Sequence, residues 1–267
     1  MKYMHFKASC SYAALANLLE RMGVDTEDTE IALGMDLPWL FDKDGDAYLS
    51  GPMLQSAEWF NLWLKPRGFQ MTETAMRKDA LCARLKGSEQ PLMLGILTPY
   101  GKHAVVFTGY DGTYRFVNPT HEDSGEETEL VISETDLIDR VDDSVMLAHV
   151  VRTEPEPVDP IPYLRRSVSV LQENVSEITQ FTSILHEPDA YLNALNPLFR
   201  PLLLDGISML TLAGETVLAD RFTALQGALM EFLRGPRAGR LCDALSIPKL
   251  QEASNEYVHL IESRITR

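Results

Sequence analysis

Between Arg152 and Pro162 the chain reads RTEPEPVDPIP, with four prolines and three acids in eleven residues. Proline fixes φ and removes a backbone donor, so such a stretch cannot run through a helix interior or a central strand. It reads as a linker over residues 153–162. A chain of 267 residues can bury a sizeable core on either side of it. The two sides also differ in apolar periodicity, so the expectation is two domains, residues 1–152 and 163–267.

The first side opens with helix signals. In CSYAALANLLERMG, Ala14, Leu15, Leu18, Leu19 and Met22 share a face, and Gly23 suits the C-terminal stop. SGPMLQSAEWFNLWLKPRG repeats the plan, with Ser50 as cap, Leu54, Ala57, Phe60, Leu62 and Leu64 mostly inward, and Pro66 as stop. MRKDALCARLKG is a third, shorter helix. Strand signals follow in PLMLGIL, HAVVFTGYD, YRFVNP, ETELVIS and SVMLAHVVR. Asp111-Gly112 is a hairpin turn between two of them. Helices first and an antiparallel sheet later make an α+β domain.

Beyond the linker nearly everything reads helical. Leu164, Val168, Leu171, Val175, Ile178 and Leu185 recur at three- and four-residue steps along one long helix that ends near HEPD. A second apolar-periodic region runs from Leu202 to Gly235, and a last amphipathic helix carries Leu250, Tyr257, Leu260, Ile261 and Ile265. Such stripes make an all-α bundle core, and part of one is available as a homodimer face.

Thirty-nine acids against 24 bases give a net charge of −15. A surface of that sign repels phosphate backbones and anionic lipids, so neither nucleic acid nor membrane is expected as a partner. No apolar run reaches the roughly 18 residues a bilayer span needs, and MKYMHF lacks the apolar segment of a secretory signal. Cys10, Cys82 and Cys242 are scattered and show no CxxC spacing. That pattern speaks against a disulfide framework and a zinc site, so the expectation is a cytoplasmic protein without metal or cofactor.

Chemistry enters at HFKASCSYAALANLLERMG. A thiolate is a strong nucleophile, but an ordinary cysteine is mostly protonated at neutral pH. Two devices lower its pKa, the positive end of a helix and a nearby imidazolium. Cys10 sits where a helix begins. Taken alone it also reads as a small buried hydrophobe. Of the six histidines, His103 alone opens an apolar strand, KHAVVFTGYDG, after the loop TPYGK. Asn118 falls at the end of the next strand, and in an antiparallel hairpin the start of one strand lies beside the end of its partner. His103 and Asn118 are therefore expected to be neighbours, with the amide holding the imidazole in one tautomer. Taken alone, His103 reads as a solvated rim histidine and Asn118 as a turn residue before Pro119. The conjunction of the three is far rarer by chance than any one of them.

Cys10 with AALANLLERMG, then LMLGI, then GKHAVVFTGYDGTYRFVNP resembles the papain-like cysteine peptidase superfamily, and within it the C39-like branch. The resemblance covers about residues 1–151. It implies Cys10 as nucleophile, His103 as general base and Asn118 as orienting residue. A C39-like domain followed by a helical domain also resembles the butirosin-biosynthesis acyltransferase-like family, in which an acyl group moves from a carrier protein to an amine. The implied substrate is a peptide, an amide or an acyl thioester, the last held on a carrier protein. These enzymes usually carry a glutamine a few residues before the cysteine to help bind the oxyanion. This chain has MKYMHFKAS there, and His5, Lys7 or Ser9 are the alternative donors. The chain also begins close to Cys10, so no propeptide is expected to cover the site, which favours a narrow specificity. The competing reading is a catalytically silent fold that binds partners through its helical domain.

Other motifs read as structure. DKDGDAYLSG has the acidic spacing of a calcium loop, but its glycine is misplaced and position twelve is Met53 rather than glutamate. It reads as a charged surface turn bordering the cleft. HEDSGEETE reads as a solvated acidic connection near the site. LPWLF with Trp59 and Trp63 reads as one aromatic core cluster. Cys82 and Cys242 read as inert.

Overall fold

The computed structural model describes residues 1–7, 9–98, 101–184, 193–234 and 245–266. In chain order the first elements are α1 (Ser11–Arg21), α2 (Asp28–Gly34), the strands β1 (Phe41–Asp44) and β2 (Ala47–Ser50), α3 (Ala57–Leu64), β3 (Phe69–Arg77) and α4 (Lys78–Lys86). Then come β4 (Leu92–Thr98), β5 (Gly101–Tyr110), β6 (Tyr114–Val117), β7 (Glu129–Ile132), α5 (Glu134–Asp139) and β8 (Ser144–Arg152). The helices α6 (Ile161–Ile184), α7 (Ile207–Leu212), α8 (Thr216–Arg234) and α9 (Ile247–Ile265) follow. Leu195–Phe199 and Pro201–Gly206 are π-helical.

These elements form two compact units. The first comprises Met1–Met35 and Gln55–Val158, and the second Asp36–Leu54 and Asp159–Arg267. The division expected at the proline-rich stretch is thus interrupted by residues 36–54, which belong with the helices. The stretch itself stays with the first unit for some way past β8: Thr153 N donates to Gly68 O and Glu156 N to Lys65 O. Pro162 lies in the opening turn of α6, where a missing N–H costs nothing.

The first unit is α+β. Its six strands pair antiparallel in the order β3-β8-β4-β5-β6-β7. One cluster joins Leu81 and Leu85 of α4 and Leu137 of α5 to Leu94, Ile96, Val105, Phe107 and Phe116 of the sheet. α1 packs along β5 and β4. It is buried from Ser11 to Leu19 on every side rather than along one stripe, as suits a helix enclosed in a core. It ends in a Schellman turn, with Val24 N donating to Leu19 O and Gly23 at φ +83°, a value that favours glycine. The helix expected from Ser50 starts six residues later. Gly51–Met53 is a 3-10 turn ahead of it, and Ser56 occupies the N-cap of α3.

The second unit is helical with one hairpin. α9 packs on α6 and α8, and β1 lies on α6. Leu164, Leu171 and Ile178 of α6, Phe222 of α8 and Leu250 and Ile261 of α9 are buried. The Tyr257 ring meets Phe41 at 5.2 Å and Trp39 at 6.0 Å, both edge-on, and Phe222 at 6.2 Å. Its hydroxyl donates to Pro38 O. Phe41 N donates to the buried Ser167 Oγ at 2.8 Å. The expected aromatic cluster is therefore split, because Trp59 and Trp63 lie on α3 of the first unit. The acidic calcium-like stretch is the β1–β2 hairpin of the second unit. The two π-helical turns each contain a proline, Pro197 and Pro201, whose missing N–H breaks the regular helical ladder. Leu185, His186 and Cys242 lie outside the described residues. No described helix is long and apolar enough to cross a membrane, and no described cluster of three or more His, Cys, Asp or Glu could hold a metal ion.

Candidate active site

The approach to Cys10 is pinned before the helix begins. Asn17, buried in α1, accepts from Lys2 N and donates to Lys2 O. Buried Asp28 accepts from both the backbone N and the ring of His5. Met4 N donates to Thr120 O, and Met4 O lies 2.8 Å from the His121 ring. Every one of these contacts is long-range in sequence, and together they fix where the chain enters α1. Cys10 is the N-cap of that helix, with its carbonyl accepting from Ala14 N. Its sulfur is therefore at the positive end of the helix.

β5 brings the partner. It starts at Gly101, so His103 is its third residue, facing Ile96 of β4 in the register. β6 pairs with β5 only as far back as Val106 opposite Val117. Nearer its start that edge of β5 is open, and there Ala104 N donates to Cys10 Sγ at 3.0 Å. Ala104 is the residue after His103, so this contact sets the thiol beside the imidazole, and each group shifts the other's titration.

The electrostatics follow from these contacts. Burial pushes the Cys10 thiol up. The hydrogen bond and charge of His103, with the N–H groups of Ala104 and Cys10 itself, outweigh it and leave the thiol below its ordinary value. Burial pushes His103 down, but Cys10, the Pro119 carbonyl and the charge of Glu126 more than offset it, so the imidazole is raised. Opposite shifts in two neighbouring groups favour a thiolate–imidazolium pair.

Asn118 is next to this pair but does not hold the ring. His103 Nε2 lies 2.6 Å from the carbonyl oxygen of Pro119. A carbonyl only accepts, so Nε2 carries the proton and Nδ1 is the nitrogen left for the thiol. Asn118 Nδ2 donates to Glu127 O at 2.7 Å, and its buried Oδ1 has no partner among the described residues. The strand ends at Val117 and turns through Asn118-Pro119, which presents a backbone carbonyl where the spacing suggested an amide. The acidic connection after it does border the site. Glu126 and Glu127, with Met4, His103, Asn118 and Arg140, line a cavity of about 430 Å³.

Of the other histidines, His149 pairs with Thr72 and His259 with Glu262. Cys82 is buried in α4. Sequence reading missed Gln55, whose side-chain oxygen accepts from the hydroxyls on both sides of Cys10. Nothing local marks it, since the contact spans 44 residues to Ser11.

No protein-family model and no curated protein matches the chain. Among solved structures it is similar to the peptidase domain of Streptococcus ComA, a bifunctional ABC transporter involved in quorum sensing. The match has 11% identity and a TM-score of 0.39, and covers 57% of this chain and 96% of that domain. The chemical reading of the site rests on its side-chain geometry.

Proposed function

We propose that the first unit performs cysteine-dependent acyl chemistry, as a peptidase, amidase or acyltransferase of narrow specificity. Cys10 Sγ attacks a carbonyl carbon as the thiolate, with its proton on His103 Nδ1. The tetrahedral intermediate collapses to an acyl-enzyme as His103 returns that proton to the leaving group, and water or an amine then resolves the acyl-enzyme. The observation that carries this reading is geometric: Ala104 N, next to His103, donates to Cys10 Sγ at 3.0 Å, while His103 Nε2 lies 2.6 Å from the Pro119 carbonyl and leaves Nδ1 for the thiol. That bond selects the tautomer a general base needs. An amide, peptide or carrier-bound thioester substrate fits this chemistry equally.

Iodoacetamide labelling, with the modified peptide identified by mass spectrometry, tests the proposal. Cys10 is expected to alkylate at mildly acidic pH, where an unperturbed thiol is almost wholly protonated. The rate should fall as pH drops through the lowered thiol pKa. A Cys10 that reacts like an ordinary thiol would sink the enzyme reading in favour of a silent binding fold.

A further inference from the structure

Acyl transfer through a tetrahedral intermediate needs donors aimed at the developing oxyanion, and the residues ahead of Cys10 do not supply a second one. His5 is committed to Asp28, and the Ser9 hydroxyl is spent on another side chain. Lys7 is exposed. That other side chain is Gln55, in the loop before α3. Ser9 Oγ donates to Gln55 Oε1 at 3.1 Å, and Ser11 Oγ donates to the same oxygen at 2.6 Å. Ser9 Oγ also accepts from Ser11 N at 3.3 Å. Both serines are buried, and they bracket the nucleophile.

The consequence is an oriented amide. Two hydroxyls occupy its oxygen, while the two N–H bonds on Nε2 have no hydrogen-bond partner among the described residues. Gln55 is exposed, which leaves its amide accessible to a substrate. We propose that Gln55 Nε2 is an oxyanion donor, acting with the Cys10 N–H that precedes the first helical turn. The inference rests on Cys10 being the nucleophile. As Sγ bonds to the substrate carbon, the carbonyl π pair moves onto oxygen, and Gln55 and Cys10 N–H stabilise that charge. When the intermediate collapses, the pair returns, the bond to the leaving group breaks, and His103 supplies the leaving group's proton. Ser9 and Ser11 are positioning residues. The donor thus comes from well after the nucleophile in the chain, where the resembling families take it from just before.

Gln55→Met keeps the length of the side chain and removes the N–H donors. With p-nitrophenyl acetate as probe, the burst of p-nitrophenolate reports acylation of Cys10. Alkylation by iodoacetamide displaces iodide at a saturated carbon and forms no oxyanion, so it reports the Cys10–His103 pair alone. The expected result is acylation slowed about 100- to 1,000-fold with the alkylation rate unchanged. Wild-type acylation rates in Gln55→Met would overturn the inference and leave the nucleophile assignment standing. Equal losses in both reactions would also overturn it, by showing that Gln55 only supports the local fold. No burst from the wild-type protein would remove the nucleophile assignment itself and this inference with it.

Discussion

Replacing His103 with alanine is expected to slow acylation of Cys10 about 100- to 10,000-fold, the range a positioned acid–base group contributes. The same substitution should move the acid limb of Cys10 alkylation upward. The sign follows from what surrounds the sulfur. In the intact site the thiol lies below its ordinary value because His103, together with the Ala104 and Cys10 N–H groups, outweighs burial. Without the imidazole, burial remains and opposes the thiolate, with only the Ala104 and Cys10 N–H groups against it. At mildly acidic pH the thiolate fraction, and with it the alkylation rate, should then fall. The measurement is the alkylation rate across pH for both proteins. An unmoved limb would show that the imidazole does not set the thiol's charge. Cys82 serves as an internal reference, since its burial in α4 shields it from the reagent.

Tyr257→Ala is expected to destabilise the helical unit by about 3–5 kcal/mol, the usual cost of truncating a buried aromatic side chain. The ring is 1% exposed and stands between Phe41, Trp39 and Phe222, with its hydroxyl on Pro38 O. Three of these four partners come from residues 36–54. Hydrogen exchange read by segment makes the prediction sharper than a melting curve. Amides of β1 and β2 should lose protection together with those of α9, while β4 and β5 keep theirs. Hairpin amides that instead followed β4 and β5 would show that residues 36–54 are held by the first unit.

The parts of the site that were legible in sequence are those set by local periodicity and hairpin register. Cys10 at a helix start follows from the apolar spacing after it. His103 and Asn118 are drawn near each other because Asp111-Gly112 fixes the pairing of β5 with β6. The register argument failed by one residue. It places side chains, and here the chain turns at Pro119 and offers a carbonyl. β3 escaped notice because its middle, TETA, is exposed and polar and shows no alternation. The β1–β2 hairpin reads as a charged surface turn because its acids dominate the pattern, whereas Trp39 and Phe41 beside it are placed by Tyr257, more than two hundred residues away. Gln55 belongs to the same class. A contact made only when two distant segments meet leaves no periodic trace in either.

The excursion of residues 36–54 also bears on what a cut in the proline-rich stretch would do. The backbone passes between the two units three times, at residues 35–36, 54–55 and 158–159. A protease that opened the chain at residue 158 would therefore not release a free helical half. The N-terminal piece would keep its hairpin lodged among α6 and α9 of the other, with Phe41 on Ser167 and Pro38 on Tyr257. Such a nicked molecule is a fragment-complementation pair, held together by a segment that each piece needs and only one encodes.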